Sequence, residues 1–201
     1  RAPASAIARA GRAVADDLRF FRSIAQQLES RSPLYKGRSS RLLRLAQETN
    51  EIAGKTVDPA QLEAAVYMHD LGMMFLPDAM WLKSWQLHAE DRKLLHLHPV
   101  FAAGLLQRMD GWAGAAAMVA QHHEMPDGKG YPEGLMESAI GDGAKILAIV
   151  DAFEAVTLKH RNRGHRVSTL RAIAEVNACD NQFAAEWVAH FNSVIRRLME
   201  E

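Results

Sequence analysis

No stretch of this chain alternates apolar and polar residues with the period of two that a half-buried strand needs. Its apolar residues recur instead at helical spacing, broken by clusters of Gly, Pro and Ser. An all-α fold is therefore expected. With 201 residues, 48% of them apolar, the chain can bury one substantial core but is short for two equal domains. Lys plus Arg and Asp plus Glu both number 24, so no global field favours DNA or an acidic membrane, and a charged ligand has to be recruited locally. The single cysteine, Cys179, excludes an internal disulfide and fits a reducing, cytoplasmic setting. No apolar run approaches the roughly 20 residues of a membrane helix. The sequence opens at Arg1 with neither an initiator methionine nor an apolar signal core, and is expected to be a piece of a longer protein.

From Ala4 to Glu29 there is no proline, and Ile7, Val14, Phe21 and Leu28 recur every seven residues, with Leu18 and Ala25 between them. Two readings stand: a coiled-coil-like signalling helix over residues 1–31, or an amphipathic helix lying on its own domain, residues 32–201. A second helix is expected from about Arg38 to Ala53, stopped by Gly54. Asp58 as N-cap, Pro59 as first helical residue and Gln61 as capping-box partner launch a third, ending near Gly72 with His69 and Asp70 in its last turn. Further helices are expected over 88–109, interrupted near Pro99, and over 112–123, 140–157, 169–177 and 183–199. Between His123 and Ile140 the segment MPDGKGYPEGLMES holds three glycines and two prolines and reads as a structured loop.

His69, Asp70, His98, His122, His123 and Asp151 fall at or near these helix ends. Imidazole nitrogen together with carboxylate oxygen suits iron, manganese or zinc, and a carboxylate can bridge two ions. The last turn of a helix also points unpaired carbonyls and a negative dipole end at what lies beyond it. His122 and His123 are adjacent, about 100° apart on a regular helix, so the spacing does not by itself direct both at one ion. Asp151 interrupts the apolar run Ile146 to Phe153, where a buried carboxylate wants a partner.

HD-LG at His69 to Gly72, His98 followed by Pro99, HHE at His122 to Glu124, DGKGYP at Asp127 to Pro132 and DAFEAVT at Asp151 to Thr157 resemble, in order and spacing, the HD-GYP family. The resemblance implies a helical HD-type bundle with a GYP loop and a divalent metal centre, usually iron or manganese, that hydrolyses cyclic di-GMP in the bacterial cytoplasm. It also implies an upstream sensor or receiver module and leaves room for a homodimer through the N-terminal helix. It gives Asp70 the central catalytic place, bridging one ion also held by His69 and Asp151 and another held by His98 and His122, with His123 near a third position. Tyr131 would form a wall of the substrate pocket and offer an aromatic face to a guanine, and Arg163 would meet a phosphate.

The departures from that pattern bear on catalysis. Arg38 stands where the family places a further histidine ligand three residues before an arginine, here Arg41, and a guanidinium has no free lone pair to give a cation. Leu34 stands at the acidic position of three-metal members, so no third ion is expected. Met73 replaces the lysine of HD-x-GK, and His160 and Asn162 replace the Arg and Tyr of R-x-Y-R. The alternative to an enzyme is a degenerate module that binds nucleotide or a protein partner without turnover. A guanidinium of Arg38 projecting into the site of His69 and Asp151 would rule out the dinuclear arrangement.

Overall fold

The structure is a computed structural model describing residues 4–77, 88–162, 168–179 and 181–200, the side chains of 4–10 and 160–162 excepted. Nine α-helices are found among these residues: α1 Ala4–Glu29, α2 Arg38–Ile52, α3 Pro59–Met68, α4 Ala89–Leu95, α5 His98–Leu106, α6 Ala113–Gln121, α7 Asp142–Asn162, α8 Thr169–Asn177 and α9 Ala185–Glu200. Strand pairing among them is limited to one isolated bridge, Asp127 with Met136, inside the expected loop. The all-α expectation holds. No helix of the described residues is long and apolar enough to cross a membrane.

α3 lies at the centre of the bundle. Leu62, Ala64, Ala65, Val66 and Met68 are buried from all sides, because α1, α2 and α6 pack around the helix. α2 and α6 then contact α7, whose Ile146, Leu147, Ile149 and Val150 complete the core. The seam of α1 is used inside the molecule over its second half. Phe21 is fully buried with its ring edge-on to Trp112 at 5.1 Å, and Ala25 and Leu28 are buried with it, while Val14 is exposed. Trp112 Nε1 donates to Asp17, which fixes the same face.

The local expectations are met in part. Asp58 does cap α3, accepting from Ala60 N and Gln61 N, with Pro59 in the first turn. Gln61 does not return to Asp58. Its Oε1 accepts from Ala115 N and its Nε2 donates to Gly111 O, so it caps the start of α6 instead. The break in 88–109 falls at His96 and Leu97, and Pro99 sits in the first turn of α5, where its missing N–H leaves no helical bond unmade. α3 stops at Met68, so His69 is its C-cap and Asp70 opens the 3-10 turn Leu71–Phe75 rather than lying in the last α-turn.

Candidate metal centre

Three histidines share one local device. His69, His98 and His122 each sit at a helix boundary, and each Nδ1 lies 2.7–2.8 Å from the carbonyl three residues earlier: Val66 O, Leu95 O and Val119 O. A carbonyl only accepts, so Nδ1 carries the proton, and Nε2 is directed away from the helix into a common space. Unpaired carbonyls near helix ends thereby fix the imidazoles. Gly72 holds two of these boundaries together: a Cβ there would lie 2.0 Å from His98 O, so only glycine lets the HD turn and the start of α5 meet.

Two groups of candidate ligands result. In one, donor atoms of His98, His122 and His123 lie within 4.8 Å of one another. The separation expected on a regular helix does not apply, because α6 ends at Gln121 and the two histidines occupy the turn beyond it. His98 Nε2 and His122 Nε2 are buried and have no hydrogen-bond partner. Burial holds the pKa of all three imidazoles below the ordinary value, that of His123 at about 4, with the neighbouring histidines adding to the effect. Buried, neutral, uncommitted nitrogen donors are what a divalent ion requires, and this group fits one.

The other group is His69, Asp70 and Asp151, again within 4.8 Å of one another. Here the donors are committed. Arg38 Nη1 donates to Asp70 Oδ2 at 2.7 Å, and Arg38 Nη2 donates to Asp151 Oδ1 at 2.5 Å and lies 3.4 Å from His69 Nε2. His69 Nε2 is itself 3.3 Å from Asp70 Oδ2 and 3.6 Å from Asp151 Oδ1. Burial alone would lower the His69 pKa, yet the charge of Asp70 and hydrogen bonds with both carboxylates raise it to about 9. Burial likewise opposes ionisation of Asp70 and Asp151, and the cations beside them outweigh it, holding both well below the usual carboxylate range. Two cations thus face two anions, and the charges close without a metal. In this arrangement Arg38 lies where an ion shared by His69, Asp70 and Asp151 would sit, although the three residues form a group that could hold one. Asp70 still links the halves, its Oδ1 lying 3.6 Å from His98 Nε2.

The loop after His123 forms a wall. Glu124, buried, accepts from Glu133 N and Leu135 N, and Tyr131 N donates to His123 O. Gly130 has no room for a Cβ, which would meet Met125 N at 2.3 Å. Tyr131 stacks against His123 at 4.8 Å and His96 at 3.8 Å. Both imidazoles thus lie nearly parallel to the Tyr131 ring. The exposed His96 ends the stack. Met73, in place of the family lysine, is buried with Leu28 and Leu76. Arg163 lies outside the described residues.

Sequence reasoning missed His96, and it missed the partners of two acids. Glu154, buried, is gripped by Arg41 through Nε at 3.0 Å and through Nη2. Glu29, the last residue of α1, accepts from Gly37 N at 2.8 Å, Ser39 N at 2.6 Å and Ser39 Oγ, on either side of Arg38. Glu154, three residues after Asp151 on an apolar helix, carried a readable signal; Glu29 and His96 carried none.

A helical bundle with histidines and aspartates converging from its helix ends is the architecture of an HD domain. The HD domain family profile matches residues 22–184, and the chain belongs to that family. It is 35% identical over 97 residues to a cyclic di-GMP phosphodiesterase response regulator of Xanthomonas campestris pv. campestris, covering 47% of this chain and 26% of that protein. It is 28% identical over 145 residues to a 3'3'-cGAMP-specific phosphodiesterase of Vibrio cholerae, covering 70% and 33%. The chain thus spans about a quarter to a third of the length of these relatives. The fold is similar to that of a protein from Bdellovibrio bacteriovorus described as HDG"Y"P, with TM-score 0.62 at 20% identity over 79% of this chain and 51% of that one. It is also similar to the HD domain of phosphodiesterase PgpH from L. monocytogenes, with TM-score 0.63 at 13% identity over 88% and 97%.

Proposed function

We propose that this chain is a metal-dependent phosphodiesterase acting on cyclic dinucleotides, cyclic di-GMP first among them. The observation that carries the reading is the pair of buried, unpartnered nitrogens His98 Nε2 and His122 Nε2, with His123 beside them. These three residues would hold the ion, iron or manganese by resemblance. A divalent cation there lowers the pKa of bound water and stabilises charge on phosphoryl oxygens. Asp70 Oδ1, close to His98 Nε2, is placed to orient the attacking water. Arg38 and Glu124 act indirectly, the first by fixing Asp70 and the second by closing the loop. Tyr131 would meet substrate by its edge or hydroxyl, and Arg163 by its charge. The substrate class implies a cytoplasmic setting, an upstream sensory module in a longer chain fits the relatives' greater length, and α1 is the candidate dimer element.

Incubating the chain, loaded with Mn²⁺ or Fe²⁺, with cyclic di-GMP and with 3'3'-cGAMP, and resolving products chromatographically, tests this. Linear dinucleotide or mononucleotide is expected, and it disappears in Asp70→Ala. No product from either substrate ends the reading. One observation favours a second reading, a domain that binds nucleotide or a protein partner without hydrolysis: the commitment of Asp70 and Asp151 to Arg38. Calorimetric binding of cyclic di-GMP without turnover would establish it.

A further inference from the structure

We propose that the Arg38 guanidinium is a built-in cation that takes the place of one metal ion, so that the chain holds a single divalent ion, on His98, His122 and His123. The inference rests on the reading that this imidazole group binds metal. It concerns the other half of the site.

The guanidinium is placed as a bound cation would be. It touches each of the three residues that could hold an ion there, at 2.7 Å to Asp70, 2.5 Å to Asp151 and 3.4 Å to His69. Its side chain is only 14% exposed, so it is enclosed by the site rather than lying across its mouth. A metal entering this half would have to expel the guanidinium or share oxygens with it. Expulsion would leave a buried permanent charge without its two carboxylates, a costly outcome. Arg38 is also anchored through its backbone. It is the first residue of α2, and the backbone N–H groups of Gly37 and Ser39 on either side of it are both held by Glu29. The imidazole group lacks any such internal cation: His98 Nε2 and His122 Nε2 are buried with no hydrogen-bond partner. One fixed organic cation and one exchangeable ion therefore sit side by side, joined through Asp70, whose Oδ2 serves Arg38 and whose Oδ1 faces His98.

The test counts metal. The full chain is saturated with Mn²⁺, freed of excess by gel filtration, and assayed by elemental analysis and by electron paramagnetic resonance. Wild type is expected to retain one ion per chain with the spectrum of an isolated Mn²⁺, and His122→Ala to lose it. Arg38→Ala frees His69, Asp70 and Asp151, and Arg38→His adds a nitrogen donor at the same place. Either is expected to raise the count from one to two and to give the spectrum of a coupled pair. Two ions in the wild type would overturn the inference and leave the phosphodiesterase reading standing. A count that stays at one in both folded Arg38 variants would overturn it as well. No ion in the wild type would overturn both the inference and the metal-dependent reading beneath it.

Discussion

The two halves of the centre lie side by side, joined through Asp70, and end in opposite states. Around Arg38, two cations meet two carboxylates at hydrogen-bond distance, and the charges are satisfied by the chain itself. Around His122, neutral imidazoles are packed together, and His98 Nε2 and His122 Nε2 have no hydrogen-bond partner. The first half meets its charges with the chain's own groups, and the second leaves buried nitrogens without a hydrogen-bond partner. The difference teaches that a single residue, Arg38, sets the two halves apart.

The largest effect that could break this contrast is Arg38→Ala in the metal-free chain. It leaves Asp70, Asp151 and His69 buried without their partner and is expected to lower stability by about 3–5 kcal/mol, read by chemical unfolding in chelator. His122→Ala should cost clearly less in the same assay, and equal losses would dissolve the distinction. Next comes metal addition. At an Mn²⁺ concentration near 100 times its dissociation constant, the wild type should gain about 2.7 kcal/mol, seen as a raised thermal midpoint. His122→Ala should abolish the gain.

Gly72→Ala attacks the junction between the halves. Because the new methyl would meet His98 O, the backbone has to shift, at an expected cost of about 1–3 kcal/mol. Both the Asp70 to His98 approach and Mn²⁺ retention should suffer. If the melting temperature drops while metal binding is untouched, the halves are more independent than described.

The smallest effect per unit change is that of pH on the metal-free chain, at most about 1.4 kcal/mol per pH unit for each group. His98, His122 and His123 resist protonation in the fold, so their stabilisation is present above about pH 6.5 and is lost as pH falls toward 4, the value held by His123. His69 behaves oppositely. Raised to about 9, it stabilises fully below about pH 6.5, and the contribution is lost as pH rises through 9. Thermal midpoints across pH 4–10 should therefore fall on both sides of neutrality, and His122→Ala should flatten the acid side only.

Much of this was legible in the residues. Asp58 and Pro59 announced α3, Gly54 ended α2, and the HD, HHE and GYP strings named the residues that converge. The substitution at position 38 was legible as a missing ligand. What the sequence could not supply was where the guanidinium would go, since its partners lie 32 and 113 residues away. Gln61 shows the same limit: its capping-box spacing is correct, but a tertiary neighbour offered Ala115 N and Gly111 O, and the local bond lost. Nothing in the motif around Tyr131 shows that His96 will lie against it.

α1 is a rod of 26 residues, about 39 Å long, and its final side chain, Glu29, is clamped to the backbone at both shoulders of Arg38. The end of that rod and the first turn of α2 are thereby joined, so the residue that lines the charge cluster also marks the seam between the first two helices.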